Sequence, residues 1–251
     1  MMWRVLPLRV DDAAASMALD EALLKLNSEG RSPNTLRFWR WQPSAVSIGY
    51  FQSLELEVDL EEARREGVQV VRRITGGGAV FHDTNGELTY SLVCREEDLP
   101  RGILESYRLI CGGLVGGLGF LGLRAEFRPV NDVLVGGRKI SGSAQTRRCG
   151  SVLQHGTILI SPDVRLMFRV LRVSQEKLSD KAISSVFERV TTIERELGRR
   201  PGFEEVREAM IKGFESALGV RFEEGNLTRE ELELTRELAP KYSSEEWLRK
   251  K

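Results

Sequence analysis

The feature that most constrains this chain is one twelve-residue string, Arg72-Arg73-Ile74-Thr75-Gly76-Gly77-Gly78-Ala79-Val80-Phe81-His82-Asp83. Three successive glycines let a backbone approach a ligand closely and adopt angles closed to other residues. Their amides can point into one concavity and hold an anion. Arginines beside such a loop add donors in a rigid fork that suits phosphate or carboxylate. Gly-Gly-Gly alone would equally be a turn beside a solvated basic pair; it is the whole string that argues for a ligand loop.

A second string, Asn131 to Gln145, holds Gly136-Gly137 between two apolar arms, which predicts a hairpin over 132–140. Lys139 leaves that turn into Ser141-Gly142-Ser143-Ala144. With nothing bulky beside it, its ammonium can extend into a pocket as a compact point charge. An isolated Gly-Gly-Arg-Lys would equally be a hairpin tip with two surface cations. The third string, Leu153-Gln154-His155-Gly156-Thr157, carries the other histidine of a chain that has two. His82 and His155 are candidates for hydrogen bonding within a site, although each alone is more often structural. Without a clustered third ligand they make a poor zinc site.

Periodicity supplies the frame. Ala15, Ala18, Leu19, Ala22 and Leu26 predict a helix capped by Asp11 or Asp12 and ended by Gly30. Strands are expected over 35–41, 45–49, 68–71, 87–94 and 152–160, with helical segments over 55–67, 103–121 and 203–218, the last closed by Gly219. A short strand follows at 220–222. Thr228 with Glu231 and Ser243 with Glu246 each fit a capping box. Strands concentrate before residue 160 and helices after it, which favours α+β with a mixed sheet over alternating βαβ units. Gly117 to Gly122 matches G-x-G-x-x-G but ends a helical stripe, so helix packing explains it better than a dinucleotide site. Lys plus Arg and Asp plus Glu both number 37, which argues against a protein held on nucleic acid by bulk charge. The longest uncharged apolar stretch, 109–123, is short and holds six glycines, so no membrane span is expected. No signal peptide is visible, and a cytoplasmic location is the expectation. Cys94, Cys111 and Cys149 show no disulfide or zinc spacing.

The three strings in this order resemble the lipoate–protein ligase branch of the biotin/lipoate protein ligase superfamily. Met17-Ala18-Leu19-Asp20-Glu21, Ile48-Gly49-Tyr50-Phe51-Gln52, Glu188-Arg189-Val190 and Tyr242 to Trp247 extend the likeness over essentially the whole chain. The resemblance implies a mixed β-sheet flanked by helices, of the class II synthetase/biotin-ligase type. It also implies an ATP- and Mg²⁺-dependent ligase that converts lipoate to lipoyl-AMP and passes the lipoyl group to a lysine of a carrier domain. The carrier would be a 2-oxoacid dehydrogenase E2 or a glycine-cleavage H protein. On that pattern Arg73 and Gly78, Ala79, Val80 and Phe81 contact the nucleotide, and Gly76 and Gly77 shape the loop. Lys139 touches both carboxylate and α-phosphate as the catalytic residue. Asn131 and Asp132 lie near the phosphate, with Asp132 a candidate Mg²⁺ ligand. Ile48, Gly49, Val80 and His82 line the acyl channel.

Relatives in the superfamily transfer octanoyl or lipoyl groups between carrier proteins without ATP, through a cysteine thiolate. In one branch that cysteine lies ahead of the Gly-x-Lys string, and in another it follows the His-Gly strand. This chain has none at either place, which leaves the ATP-independent acyltransferase as the alternative. Cys149 is off both patterns and reads as an incidental loop residue, while Cys94 and Cys111 fall in apolar stripes. The chain stops four residues after Trp247. The expectation is a single catalytic domain over 1–251 without the C-terminal accessory domain, served by a separate accessory subunit or working as a stand-alone transferase.

Overall fold

The structure is a computed structural model that describes residues 2–172 and 188–250. Among them the main sheet has nine strands: β1 (Met2–Val5), β2 (Arg9–Asp11), β3 (Thr35–Trp41), β7 (Glu87–Arg95), β8 (Ala125–Arg128), β9 (Asp132–Val135), β10 (Arg138–Arg148), β11 (Ser151–Leu159) and β12 (Arg221–Glu224). Their order is β12-β1-β3-β7-β11-β10-β9-β8, with β2 beside β3. A smaller sheet pairs β4 (Ala45–Ile48) with β5 (Gln69–Arg72) and β6 (Val80–His82). The α+β expectation holds, and parallel and antiparallel pairs mix in both sheets.

The central strands β3, β7 and β11 are buried on both faces, because helices cover each side. Side chains along a strand alternate between faces. Leu88, Tyr90, Leu92 and Cys94 therefore enter one core with α4 (Ile103–Phe120) and the C-terminal-half helix Phe203–Leu218, whereas Val93 and Leu153 enter a second core with α1 (Ala13–Ser28). Glycines let the first two helices touch. A Cβ at Gly213 would sit 2.2 Å from Gly113 O, and one at Gly117 would sit 2.8 Å from Met210 Cα. Within the G-x-G-x-x-G match Gly117 serves packing, while Gly119 has open space beside it and Gly122 takes a positive φ just past the helix. Residues 103–120 are also long and apolar enough to pass for a membrane span, but here they form a core helix.

Several sequence expectations need correction. The chain opens on strands, and β1 pairs in parallel with β12 and β3, partners that lie far away in sequence. The charged 55–67 segment is two short helices, α2 (Leu54–Glu57) and α3 (Leu60–Arg65), broken at extended Val58, which bridges to Leu171. Asp12, not Asp11, caps α1, through its side chain to Ala15 N. The capping box at Thr228 and Glu231 is present. The one at Ser243 is not: Ser243 ends helix Arg229–Tyr242, and Ser244 caps the next turn by accepting from Trp247 N.

Candidate active site

The glycine loop and the β9–β10 hairpin converge on one cavity of about 400 Å³, a size typical of small-molecule sites. Met17, Trp41, Phe81, Val164, Met167 and Leu171 make one side apolar, and Arg73, Asn131 and Lys139 bring polar groups to it. Gly77, Gly78, Ala79, Val80, His82 and His155 also line it. Four expected residues do not. Gly76 and half-exposed Asp132 lie outside the lining, Ile48 is core, and Gly49 backs the glycine loop.

Strand alternation sends the neighbouring arginines in opposite directions. Arg72 donates to the carbonyls of Gly49, Tyr50, Gln52, Trp247 and Leu248, so it fastens the C-terminal segment to the loop after β4. Trp247 Nε1 returns a bond to Arg72 O. Arg73 turns inward, buried and with no carboxylate partner among the described residues, and burial pushes its guanidinium down to about 10. All five of its N–H groups are satisfied by neutral acceptors. Nη2 donates to the carbonyls of Gly76 and Gly78, each at 2.8 Å. Nη1 donates to Ser47 O and Oγ, and Nε to Thr75 Oγ1. The donors that were expected on a nucleotide instead hold the loop in shape.

Those two hydroxyls carry the network on to the histidines. Because each accepts from Arg73, its own proton points onward. Thr75 donates to His155 Nε2 (2.7 Å), whose Nδ1–H donates to Asp20 (2.8 Å). Ser47 donates to His82 Nε2 (2.8 Å), whose Nδ1–H donates to Glu87 (3.0 Å). These tautomers are inferred from the donor count, since hydrogens follow the network. Burial, the largest cause, moves the His155 pKa down. Burial pushes the Asp20 carboxyl up, but Arg37 and the bonds from His155 and Ser91 hold it below its ordinary value. Ser91 and His155 are direct cross-strand partners on β7 and β11, which is why both reach one carboxylate. Sequence reasoning quoted Asp20 only as part of a string and gave Ser47, Thr75 and Glu87 no separate role. Their partners are 35 to 135 residues away, except for the pair His82–Glu87. That last spacing, five residues across a turn, was a readable signal.

Lys139 sits where the β9–β10 register shifts, and such bulges re-aim side chains. Its Nζ lies 2.7 Å from Asp132 Oδ1. The ammonium passes directly over Gly142, where a Cβ would stand 2.7 Å from Nζ and from Cε. Asn131 Nδ2 donates to Ser143 O and fixes the hairpin neck. The donor set does not fit Mg²⁺: Asp132 is already paired with an ammonium, and the described residues contain no group of three metal-ligating side chains.

A family profile, the lipoyl protein ligase A/B catalytic domain, matches residues 12–215. The chain belongs to that family. Octanoyltransferase LipM of Symbiobacterium thermophilum is 41% identical, with 98% of this chain and 97% of the relative covered. Octanoyltransferase LipM of Brevibacillus brevis is 39% identical, with 98% of each chain covered. A bipartite lipoate protein ligase of Thermoplasma acidophilum, described with its E2 lipoyl domain as one lipoylation system, superposes with a TM-score of 0.88 at 37% identity, over 98% of this chain and 96% of that one. The fold and the lipoylation family match expectation. The activity does not: full-length relatives named as octanoyltransferases overturn the ATP-dependent, lipoyl-AMP-forming ligase, and the ATP and Mg²⁺ cofactors fall with it.

Proposed function

We propose that this chain transfers an octanoyl or lipoyl group from a carrier-protein thioester to a lysine of a lipoyl carrier domain. The observation that carries the reading is the likeness to octanoyltransferases along the whole chain, joined to an apolar cavity with an ammonium on its wall. A thioester is already activated, so attack by an amine needs no nucleotide. The fatty chain lies along Met17, Phe81, Met167 and Leu171, where burial of each CH₂ contributes about 0.8 kcal/mol. The thioester carbonyl then faces Lys139 Nζ. As the carbonyl becomes tetrahedral its oxygen gains charge, and a fixed ammonium stabilises that charge more than the starting carbonyl. Gly77, Gly78 and Ala79 shape the wall around the acyl group, and Arg73 keeps them in place. Asn131 and Asp132 hold the hairpin and aim Lys139. Recognition of a lipoyl domain as carrier is supported by the Thermoplasma protein, whose lipoylation system pairs it with an E2 lipoyl domain.

The test is an ATP-free assay with purified chain, octanoyl-carrier thioester and lipoyl domain, read by intact mass of the domain. Octanoylation of its lysine without ATP is the expected result. Modification that requires free fatty acid or lipoate together with ATP overturns the reading.

A further inference from the structure

Resting on that transferase reading, we propose that Glu196 is a positioning residue for the transfer: it fixes Lys139 by tying Arg138, the residue before it, to the segment that grips the lysine's backbone. The bulge at Lys139 makes such a device necessary. A bulge disrupts the ladder locally and bends its strand, yet Lys139 is paired on both edges. Leu134 of β9 lies opposite it on one side, and Val190 bridges to it in parallel on the other. On that second edge Thr191 N donates to Lys139 O at 2.8 Å. Val190 also lines the cavity, so one two-residue segment both builds the wall and holds the lysine that acts in it.

A pairing this short needs an anchor. The short helix Ile193–Leu197 follows directly and supplies it. Ile193 is fully buried in the core shared with α4, and Glu194 N donates to Ile160 O just past the end of β11. From this base Glu196 reaches back to the hairpin. Its Oε1 accepts from Thr191 Oγ1 and, at 2.7 Å, from Arg138 Nη2. One oxygen therefore closes a ring of contacts. The ring runs from Glu196 through Arg138 to Lys139, across Lys139 O to Thr191 N, and through the Thr191 hydroxyl back to Glu196. The carboxylate is 16% exposed and the arginine 30%, so water competes poorly for these bonds. Charge-assisted bonds of this kind are also the strong ones.

The consequence is geometric. An oxyanion donor helps only where it is held at the place the charge appears, and its supports must keep it within about 0.5 Å of that place. Asp132 fixes the far end of the Lys139 side chain at Nζ. The ring fixes the near end, the backbone from which that side chain starts. Glu196 bonds to the lysine's neighbours rather than to its ammonium. Its role is the same whichever nucleophile first meets the thioester, because Lys139 acts on the oxyanion and not on the attacking atom.

The experiment uses the full chain. It is first shown active in the ATP-free assay, so failure there sinks the transferase reading and is separate from this inference. Glu196→Ala should then lower kcat about tenfold, a fraction of what a misplacement of roughly 1 Å costs. Glu196→Gln, whose amide oxygen still accepts from both partners, should stay within about threefold of the parent. The deciding measurement is the double-mutant cycle with Lys139→Ala: there the loss of Glu196 should cost less than about twofold. An equal loss in both backgrounds overturns the proposal, and so does a Glu196→Gln variant as slow as Glu196→Ala. Thr191→Val breaks one arm of the ring at constant size. It should show the same non-additivity, which keeps the test available if Glu196→Ala does not fold. Amide exchange reads the geometry without turnover. The Thr191 N–H should exchange at least about tenfold faster in Glu196→Ala, since local opening sets its protection, and an unchanged rate overturns the proposal as well.

Discussion

Gly49 separates two accounts of the same residue. As an expected channel residue, it should tolerate alanine with a change in acyl-chain preference and little else. In the structure a Cβ at 49 would lie 2.0 Å from Gly77 O and 3.2 Å from Gly76 C, both backbone atoms of the glycine loop. Ordinary contact begins at 3.4 Å, so the loop must retreat by more than an ångström. That loop is tied to Arg73 at Gly76 O and Gly78 O and cannot swing as a flexible side chain would. Overpacking of this kind costs about 1–3 kcal/mol, and each kcal/mol lowers Tm by about 2–4 °C in a chain of this size. A reacting group misplaced by about 1 Å can lose roughly 10²-fold in rate. Gly49→Ala should therefore melt several degrees early and lose about two orders of magnitude in kcat/KM, equally for hexanoyl, octanoyl and decanoyl donors. Thermal melting by circular dichroism and the ATP-free transfer assay measure both. A variant with parental Tm and rate but an altered chain-length preference would refute the backing role and restore Gly49 to the channel.

Lys139→Ala should lower kcat about 10²–10³-fold, as loss of one oxyanion donor does, while Tm stays close to the parent because that side chain is half-exposed. Gly142→Ala should move activity in the same direction with little change in melting, since its Cβ displaces only the flexible end of Lys139; full activity would show that the ammonium's path over Gly142 is irrelevant. Glu87→Ala leaves His82 Nδ1–H and the Thr89 hydroxyl without their acceptor, at about 1–3 kcal/mol per orphaned buried group, and urea unfolding reads that loss. The pH dependence follows from His155, whose folded pKa is below 6.5 because it is buried neutral. The unfolded chain binds that proton first, so stability is full above pH 6.5 and falls as pH drops towards the folded pKa. Asp20, held below 3.8, extends the loss to lower pH. Urea midpoints across this range should fall with acid, and His155→Gln should flatten the upper part of the curve.

How much of this was legible depended on sequence distance. The hairpin of β9 and β10 was readable because Gly136-Gly137 and both arms are contiguous, and both glycines do take positive φ. The helix over 203–218 was readable from its period and its αL cap at Gly219. β12 was readable as a short strand one residue early, but β1 was not, because it is short and becomes a strand only by pairing with β12 and β3, far away in sequence. Val58 breaks an apparently continuous charged helix because Leu171 offers it a strand partner. The cavity itself was legible as two strings expected to converge. Of its supports, Glu87 lay within five residues of His82 and could have been read, but Asp20 could not: an aspartate on a helix gives no sign of the histidine that will close over it from β11.

The chemistry was misread for a different reason. A lysine over a glycine-walled apolar cavity stabilises the same tetrahedral oxyanion whether the leaving group is AMP or a carrier thiol. The residues that distinguish the two reactions are therefore those that handle what leaves, not those that hold the acyl group. The sequence argument used a missing cysteine as that discriminator and took its absence as evidence for adenylation. In the structure Cys111, only 3.8 Å from Ser143, is sealed in the core, and Cys149 stands beyond the end of the cavity. A cysteine absent from those two places does not exclude acyl transfer, because an amine can attack a thioester without help from an enzyme thiol. The two likenesses are then compatible: on the transferase reading the activating step lies in the donor thioester rather than in this chain.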